Sequence, residues 1–319
     1  MKKKLLWIGF CLVLASSAIF LQKQDVLQSL ASMDSFTRSH GDNLKRLKKL
    51  SVACEKAHPF VQSSIPIDIL IPVIEKDLDV LEHTIVFARR HVMHPIGNIY
   101  IVAPDREVIR ACAERLGCVF VNEADVLPIQ FQDIDYYPEG QDRRGWLFQQ
   151  LLKLSADTIG ISEHVLILDA DTLLIRPQSF ACKGRTIFHC ADEMHMPYRK
   201  MYQRLIGADV KGVFSFVSHH MLMERSKLQH LKHHIESVHN VPWFQAILNL
   251  IDRQEGSGFS EYETYAQFVL ENYPDEFLQL YFFNRALSKK TKLMPFLRGD
   301  ISLRDHELVK SVSFHDYLD

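Results

Sequence analysis

The stretch Val165-Leu166-Ile167-Leu168-Asp169-Ala170-Asp171-Thr172 constrains this chain most. Four consecutive apolar residues leave no polar face. The run therefore reads as a strand buried on both sides, as in a parallel sheet covered by helices. Open α/β sheets place their ligands in the crevice beyond the carboxyl ends of their strands. Here that end carries two carboxylates, and residues two apart along an extended chain point the same way. Two like charges held close disfavour one another, and a hard divalent cation with oxygen ligands relieves the repulsion. An ordinary Asp-rich turn is the plain alternative. The apolar strand before the pair and Leu173-Leu174-Ile175-Arg176-Pro177 after it weigh toward the cation.

The preceding sequence supplies the rest of such a sheet. Ile67-Asp68-Ile69-Leu70-Ile71-Pro72-Val73 is rich in β-branched residues and ends at a proline, so it reads as a first strand. Leu78 to Val92 reads as a helix, Asn98 to Pro104 as a second strand, Glu107 to Leu116 as a second helix and Cys118 to Val121 as a third strand. Strands alternating with helices give βαβ units and a parallel sheet, and right-handed crossovers make it doubly wound with helices on both faces. Further on, Trp146 to Ala156 reads as a helix, Thr186 to His189 as a strand, Met194 to Gly207 as a helix and Gly212 to Ser218 as a strand running into His219-His220. Asp125 to Gly145 is polar and aromatic and reads as a loop. No Gly-x-Gly-x-x-Gly or Walker lysine loop occurs, so neither a dinucleotide nor a P-loop site is supported.

Composition excludes other classes. Of 319 residues 47% are hydrophobic, enough for a sizeable core, and the formal net charge of -2 argues against general nucleic-acid binding. The six cysteines include Cys11 in an apolar leader and form no Cys-x-x-Cys pair, which argues against a zinc ribbon. Cys182 and Cys190 are left as a pair able to bridge.

Lys2-Lys3-Lys4 followed by the nearly uncharged Leu5 to Leu21 forms a basic and then an apolar leader. It falls just short of the ~20 residues of a spanning helix. Ala15-Ser16-Ser17-Ala18 offers small residues for cleavage, but Ile19-Phe20-Leu21 continue the apolar run. The reading is a signal anchor, with a cleaved signal peptide as the alternative, over residues 1–22. The lysines would leave the N-terminus in the cytoplasm and the body on the far side of the membrane. Residues 23–64 read as a stem. Leu44, Leu47 and Leu50 recur at helical spacing, and Lys45-Arg46-Leu47-Lys48-Lys49 is either a solvated face or a contact with anionic lipid. The globular domain then spans residues 65–319.

Ile167-Leu168-Asp169-Ala170-Asp171 with Leu174-Ile175-Arg176-Pro177 resembles the metal-binding DxD segment of GT-A glycosyltransferases. Those enzymes use Mn²⁺ or Mg²⁺ to hold the diphosphate of a nucleotide sugar. With Trp146, Gln149-Gln150 and Lys153-Leu154 before it and Phe259-Ser260-Glu261-Tyr262-Glu263 after it, the pattern is similar to an uncharacterised bacterial family of GT-A-like proteins, from about Ile67 to the C-terminus.

The resemblance implies a nucleotide-sugar donor and a glycan, lipid or protein acceptor. It makes Asp169 and Asp171 metal ligands, with His315 returning late in the chain to complete the shell. It places Pro72, Val73 and Asp105 at the base and ribose, and Ala170 beside the donor. In those members that invert the anomeric centre, a carboxylate at a helix start takes the acceptor proton, and Glu261 fits that position.

The residues themselves leave alternatives. Asp105 also suits a turn after Pro104, and His315 also suits an exposed tail. Lys153 and Arg143 either neutralise phosphate or lie on a solvated face. His219 and His220 make an acceptor-binding element, but adjacent strand residues face opposite ways and are unsuited to sharing one metal. Ser260 and Glu263 have capping-box spacing. That leaves Glu261 either as a general base projecting into the crevice or as favourable charge at a helix start. The function expected is a metal-dependent glycosyltransferase. The alternatives are a nucleotidyltransferase, which would carry a Gly-rich loop where this chain has Pro72-Val73-Ile74-Glu75, and a non-catalytic membrane-tethered binding protein of the same fold.

Overall fold

The structure, a computed structural model, describes residues 40–57, 62–191, 194–301, 308–315 and 318. The expected membrane segment, residues 1–22, lies outside these. Among the described residues no helix is long and apolar enough to cross a membrane.

The first described element is helix α1 (His40–Ala57). Its leucine spacing puts Leu47 fully inside the main core. Ser51 Oγ accepts a hydrogen bond from the Tyr281 backbone N–H at 2.6 Å, and Lys48 lies 4.4 Å from the centre of the Tyr281 ring. Part of the stem is thus a helix seated on the globular domain.

The sheet begins with β1 (Ile67–Pro72), followed by α2 (Leu78–His91), β2 (Ile96–Ala103), α3 (Glu107–Arg115) and β3 (Val119–Asn122). Helix α4 (Arg144–Leu154) and the single turn α5 (Ala156–Ile159) lead into β4 (His164–Leu168). The central sheet has the order β3-β2-β1-β4 and is parallel throughout those four strands. Its alternating side chains divide between two cores. Ile67, Ile69, Ile71, Ile99, Ile101, Leu166 and Leu168 pack with Leu81, Ile85, Ile109 and Ala113 of α2 and α3. Leu70, Val102, Val165 and Ile167 pack with Leu147, Leu151 and Leu154 on the other face. A sheet covered twice is what continuous apolar strands require, and the expected α/β architecture with a mostly parallel sheet is present.

The chain continues through β5 (Thr172–Leu174), β6 (Ala181–Cys182), β7 (Arg185–Cys190) and α6 (Met196–Ile206) to β8 (His220–Glu224). Strand β8 joins the sheet antiparallel to β4. The helices α7 (Arg225–His239), α8 (Trp243–Leu250) and α9 (Glu261–Asn272) follow, then β9 (Phe277–Tyr281), β10 (Asn284–Ser288), α10 (Lys289–Leu297) and β11 (Ser311–His315). Two small sheets of order β10-β11-β5 and β6-β7-β9 complete the architecture of the described residues.

Two expectations are corrected here. Gly212 to Ser218 is not a strand, and the strand starts at His220. Two of the backbone N–H groups in this stretch go to side chains instead, Gly212 N–H to Gln267 Oε1 at 2.8 Å and Phe216 N–H to Glu263 Oε2 at 3.0 Å, and Ser215 makes only an isolated bridge with Ala191. The loop from Asp125 to Gly145 contains short 3-10 turns at Phe131–Asp133 and Pro138–Gly140. Cys182 and Cys190 are free thiols, so the suggested bridge is not formed.

Candidate active site at the carboxyl end of the central strand

Strand β4 ends at Leu168, and the chain turns at once, with the Thr172 N–H donating to Asp169 O at 3.1 Å. The turn carries both carboxylates out at the carboxyl edge. Ala170, 4% exposed, is pinned between them: its carbonyl accepts from Thr84 Oγ1 at 2.7 Å. Register then brings in the end of the chain. Strand β11 pairs antiparallel with β5, Ser313 opposite Thr172, and the Phe314 N–H donates to Asp171 O at 2.9 Å. His315 Nδ1 consequently lies 3.1 Å from Asp171 Oδ2. The tail histidine is buried, not exposed.

Asp169 is held from three sides. Lys153 Nζ donates to its Oδ1 at 2.6 Å, the Tyr262 hydroxyl donates to the same oxygen at 3.0 Å, and His219 Nδ1 lies 3.4 Å from Oδ2. Burial pushes this carboxyl up, but Lys153 and His219 outweigh it and hold it below the usual carboxylate range. For His219, burial lowers the pKa, and the contact with Asp169 more than reverses that. The His219 backbone is left-handed, with φ of 63°, a strained setting for a residue with a side chain. Its carbonyl accepts from the Asp169 N–H at 3.0 Å, which seats the ring beside the turn.

Lys153 is not solvated, since its residue is 3% exposed. Its ammonium lies 2.6 Å from Asp169 and 2.9 Å from Glu261 Oε1, and 4.6 Å from the Tyr262 ring centre. Burial disfavours its charge, but the two carboxylates outweigh this and hold its pKa above the ordinary lysine value. Glu261 opens α9 as expected, yet it is 1% exposed and turned inward to Lys153 instead of projecting into the crevice. Burial pushes its pKa up against the pull of Lys153. The capping box is half made. Ser260 Oγ accepts from the Glu263 N–H at 3.2 Å. The Glu263 carboxylate does not return to the N-cap; it accepts from the Phe216 N–H and from Gln267 Nε2 at 2.9 Å.

The remaining candidates spread outward. Pro72 and Val73 are buried at the end of β1, where the Val73 N–H donates to Val102 O at 2.9 Å. Asp105 is exposed and ion-paired with Arg110 at 2.6 Å. Arg143 Nε donates to Gly256 O at 2.8 Å and its guanidinium stacks 4.7 Å from the Trp146 ring centre, so it ties down the loop before α9. His219 and His220 do face opposite ways. His220 is 1% exposed, with Nε2 2.8 Å from His189 Nδ1, and it packs on Phe180 and Phe282. Burial and then the neighbouring His219 push its pKa down to about 3, so its ring is neutral and built into the core.

Sequence reasoning missed Tyr262 as a partner of Asp169, although it stands inside the quoted Ser260-Glu261-Tyr262-Glu263 segment. Among the described residues no group of three or more His, Cys, Asp or Glu side chains is already gathered to hold a metal ion. Asp171 and His315 nonetheless converge, and the donor set of carboxylate oxygen and imidazole nitrogen suits Mn²⁺. The second oxygen of Asp169 is shared with His219 and not with Lys153.

The class defined by these features is an α/β domain with a mostly parallel sheet whose carboxyl edge carries acidic and histidine side chains that are part-exposed at Asp171 and His219. The chain belongs to a family of unknown function, DUF6492, whose profile matches residues 67–297. No curated protein matches it. Among solved structures it is similar to the galactosyltransferase LgtC in complex with donor and acceptor sugar analogues, at 13% identity and a TM-score of 0.41, over 77% of this chain and 86% of that one. It is also similar to an active-site mutant of LgtC, at 13% identity and a TM-score of 0.43, with the same coverage.

Proposed function

We propose that the protein is a metal-assisted glycosyltransferase of the GT-A kind, moving a sugar from a nucleotide-diphosphate donor to an acceptor hydroxyl. The observation that carries this reading is the pairing of Asp171 with His315 beyond the central strand, 3.1 Å apart, with Asp171 still 27% exposed to the crevice. Asp171 and His315 would hold Mn²⁺ or Mg²⁺, joined by Asp169 through Oδ2. A cation there would neutralise the charge that develops on a leaving diphosphate. Val73 and Ala170, fixed by backbone and by Thr84, would form a rigid floor for the donor. Of the two histidines, His219 keeps 23% side-chain exposure and would be the one to meet a substrate. Glu261, ion-paired and enclosed, is given no role as the general base. The apolar leader would tether the domain on the non-cytoplasmic side of a membrane, a reading supported by sequence.

The test is thermal melting of the full chain with Mn²⁺ or Mg²⁺ and a panel of nucleoside diphosphates. A ligand at a hundred times its Kd stabilises by about 2.7 kcal/mol. The proposal requires a rise in Tm with at least one nucleoside diphosphate that depends on the cation. If every nucleotide leaves Tm unchanged with either cation, the reading is wrong.

A further inference from the structure

The first turn of α9 bears on Asp169 through consecutive residues. Tyr262 donates to it directly, and Glu261 reaches it through Lys153. Glu263 holds the Phe216 N–H, in the stretch that leads to His219. Lys153 and Glu261 have side chains 4% and 1% exposed, so neither is placed to touch a substrate. The charges, however, must balance. A buried ion stripped of its partner is strongly destabilising, and the ammonium stands between two carboxylates. With Glu261 present, Lys153 has a partner inside the fold, and one negative charge of the trio is left over. That charge can be directed outward through Asp169 Oδ2. Without Glu261, Asp169 would be the only acid paired to Lys153 in this trio, and a cation in the crevice would have to compete for it.

We propose that Glu261 is a positioning residue: by taking up the charge of Lys153 inside the fold, it leaves Asp169 able to ligate a divalent cation from the crevice. The inference rests on the metal-assisted reading above. Outer partners that orient metal ligands typically contribute about 10–100-fold to metal affinity, and an effect of that size is expected here.

The experiment measures Mn²⁺ binding to the full-length protein by the electron paramagnetic resonance signal of free Mn²⁺, with no substrate present. Glu261→Gln should bind Mn²⁺ about 10–100-fold more weakly than the unaltered chain. Lys153→Gln combined with Glu261→Gln should recover most of the loss, because the competing ammonium has gone. A purely structural role for Glu261 predicts the opposite, since a second lesion in one buried cluster deepens the damage. Equal binding by Glu261→Gln and the unaltered chain overturns the inference, and so does a double variant no better than the single. Should the single variant fail to fold, the uncharged pair decides alone: it must bind Mn²⁺ within about tenfold of the unaltered chain. An unaltered chain that binds no Mn²⁺ overturns the cation reading itself, a result distinct from those of the variants.

Discussion

Asp68 offers the sharpest test of what holds the sheet together. It is a carboxylate inside β1, fully buried, at the edge of the sheet opposite the site. Its Oδ1 accepts from the Asn98 N–H at 2.9 Å; its Oδ2 accepts from the N–H groups of Ile161 and Ser162 at 3.0 and 2.9 Å. One side chain thereby joins the starts of β1 and β2 to the turn before β4. Hydrogen bonds to a charged group contribute about 1.5–3 kcal/mol each. The donors here are part-buried, so the low end applies, and Asp68→Ala should cost roughly 4 kcal/mol. That is a large part of the ~5–15 kcal/mol typical of a domain. Gly97 supplies an internal check. A Cβ placed on it would lie 2.6 Å from Asp68 Oδ1, so Gly97→Ala should also destabilise. Because that clash is with the carboxylate, the two substitutions together should cost less than their sum. Urea unfolding at constant m measures all three variants. A loss below about 1 kcal/mol for Asp68→Ala, or strict additivity with Gly97→Ala, would refute the account.

Three further outcomes are expected. Asp171→Asn should keep its melting temperature yet lose cation-dependent turnover, because its side chain is part-exposed; full turnover in Mn²⁺ would remove Asp171 from the metal site. Glu263→Gln should cost about 1–2 kcal/mol, because an amide cannot accept from both the Phe216 N–H and Gln267 without one bond reversing; an unchanged melting curve would show that the return to Phe216 is dispensable. Burial pushes the carboxyl of Glu123 up from 4.5 to about 7. The folded state thus holds this proton more tightly than the unfolded chain, and the associated stability is full below 4.5 and lost as pH rises through about 7. Glu123→Gln should therefore gain in melting temperature relative to the unaltered chain between pH 5 and 8, and a pH-independent difference would count against the burial of this group.

The parallel sheet was legible because its cause is local. Ile67 to Ile71 and Val165 to Leu168 are apolar at every turn of the pleat except Asp68, and only a sheet covered on both faces uses such runs. Val213, Phe214 and Phe216 read as another strand for the same reason and are buried, but the N–H groups of Gly212 and Phe216 go to Gln267 and Glu263, half a hundred residues on, which a local pattern cannot reveal. The acidic turn was legible at Asp169 and Asp171, and its partners were so only in part. His315 is 144 positions from Asp171, and register between β5 and β11 brings it back. Lys153 sits on a helix that reads as half-solvated; two carboxylates from separate elements make its burial tolerable. Glu261 and Glu263 were told apart by spacing, but which way each side chain turns was decided by Lys153 and the Phe216 N–H.

The seating of α1 bears on the order in which the molecule can be completed. Ser51 and Tyr281, joined through the Tyr281 N–H, are 230 positions apart. Tyr281 belongs to β9, an outer strand of its sheet, so this bond occupies one of the groups an edge strand would otherwise offer to another chain. A chain made from its N-terminus exposes Leu47 early and finishes β9 late. Contacts of such long separation are slow to form because the intervening loop must first be closed. The first of the described helices is thus among the last pieces to be seated, and until β9 emerges its apolar stripe is a surface that the nascent protein has to keep from other chains.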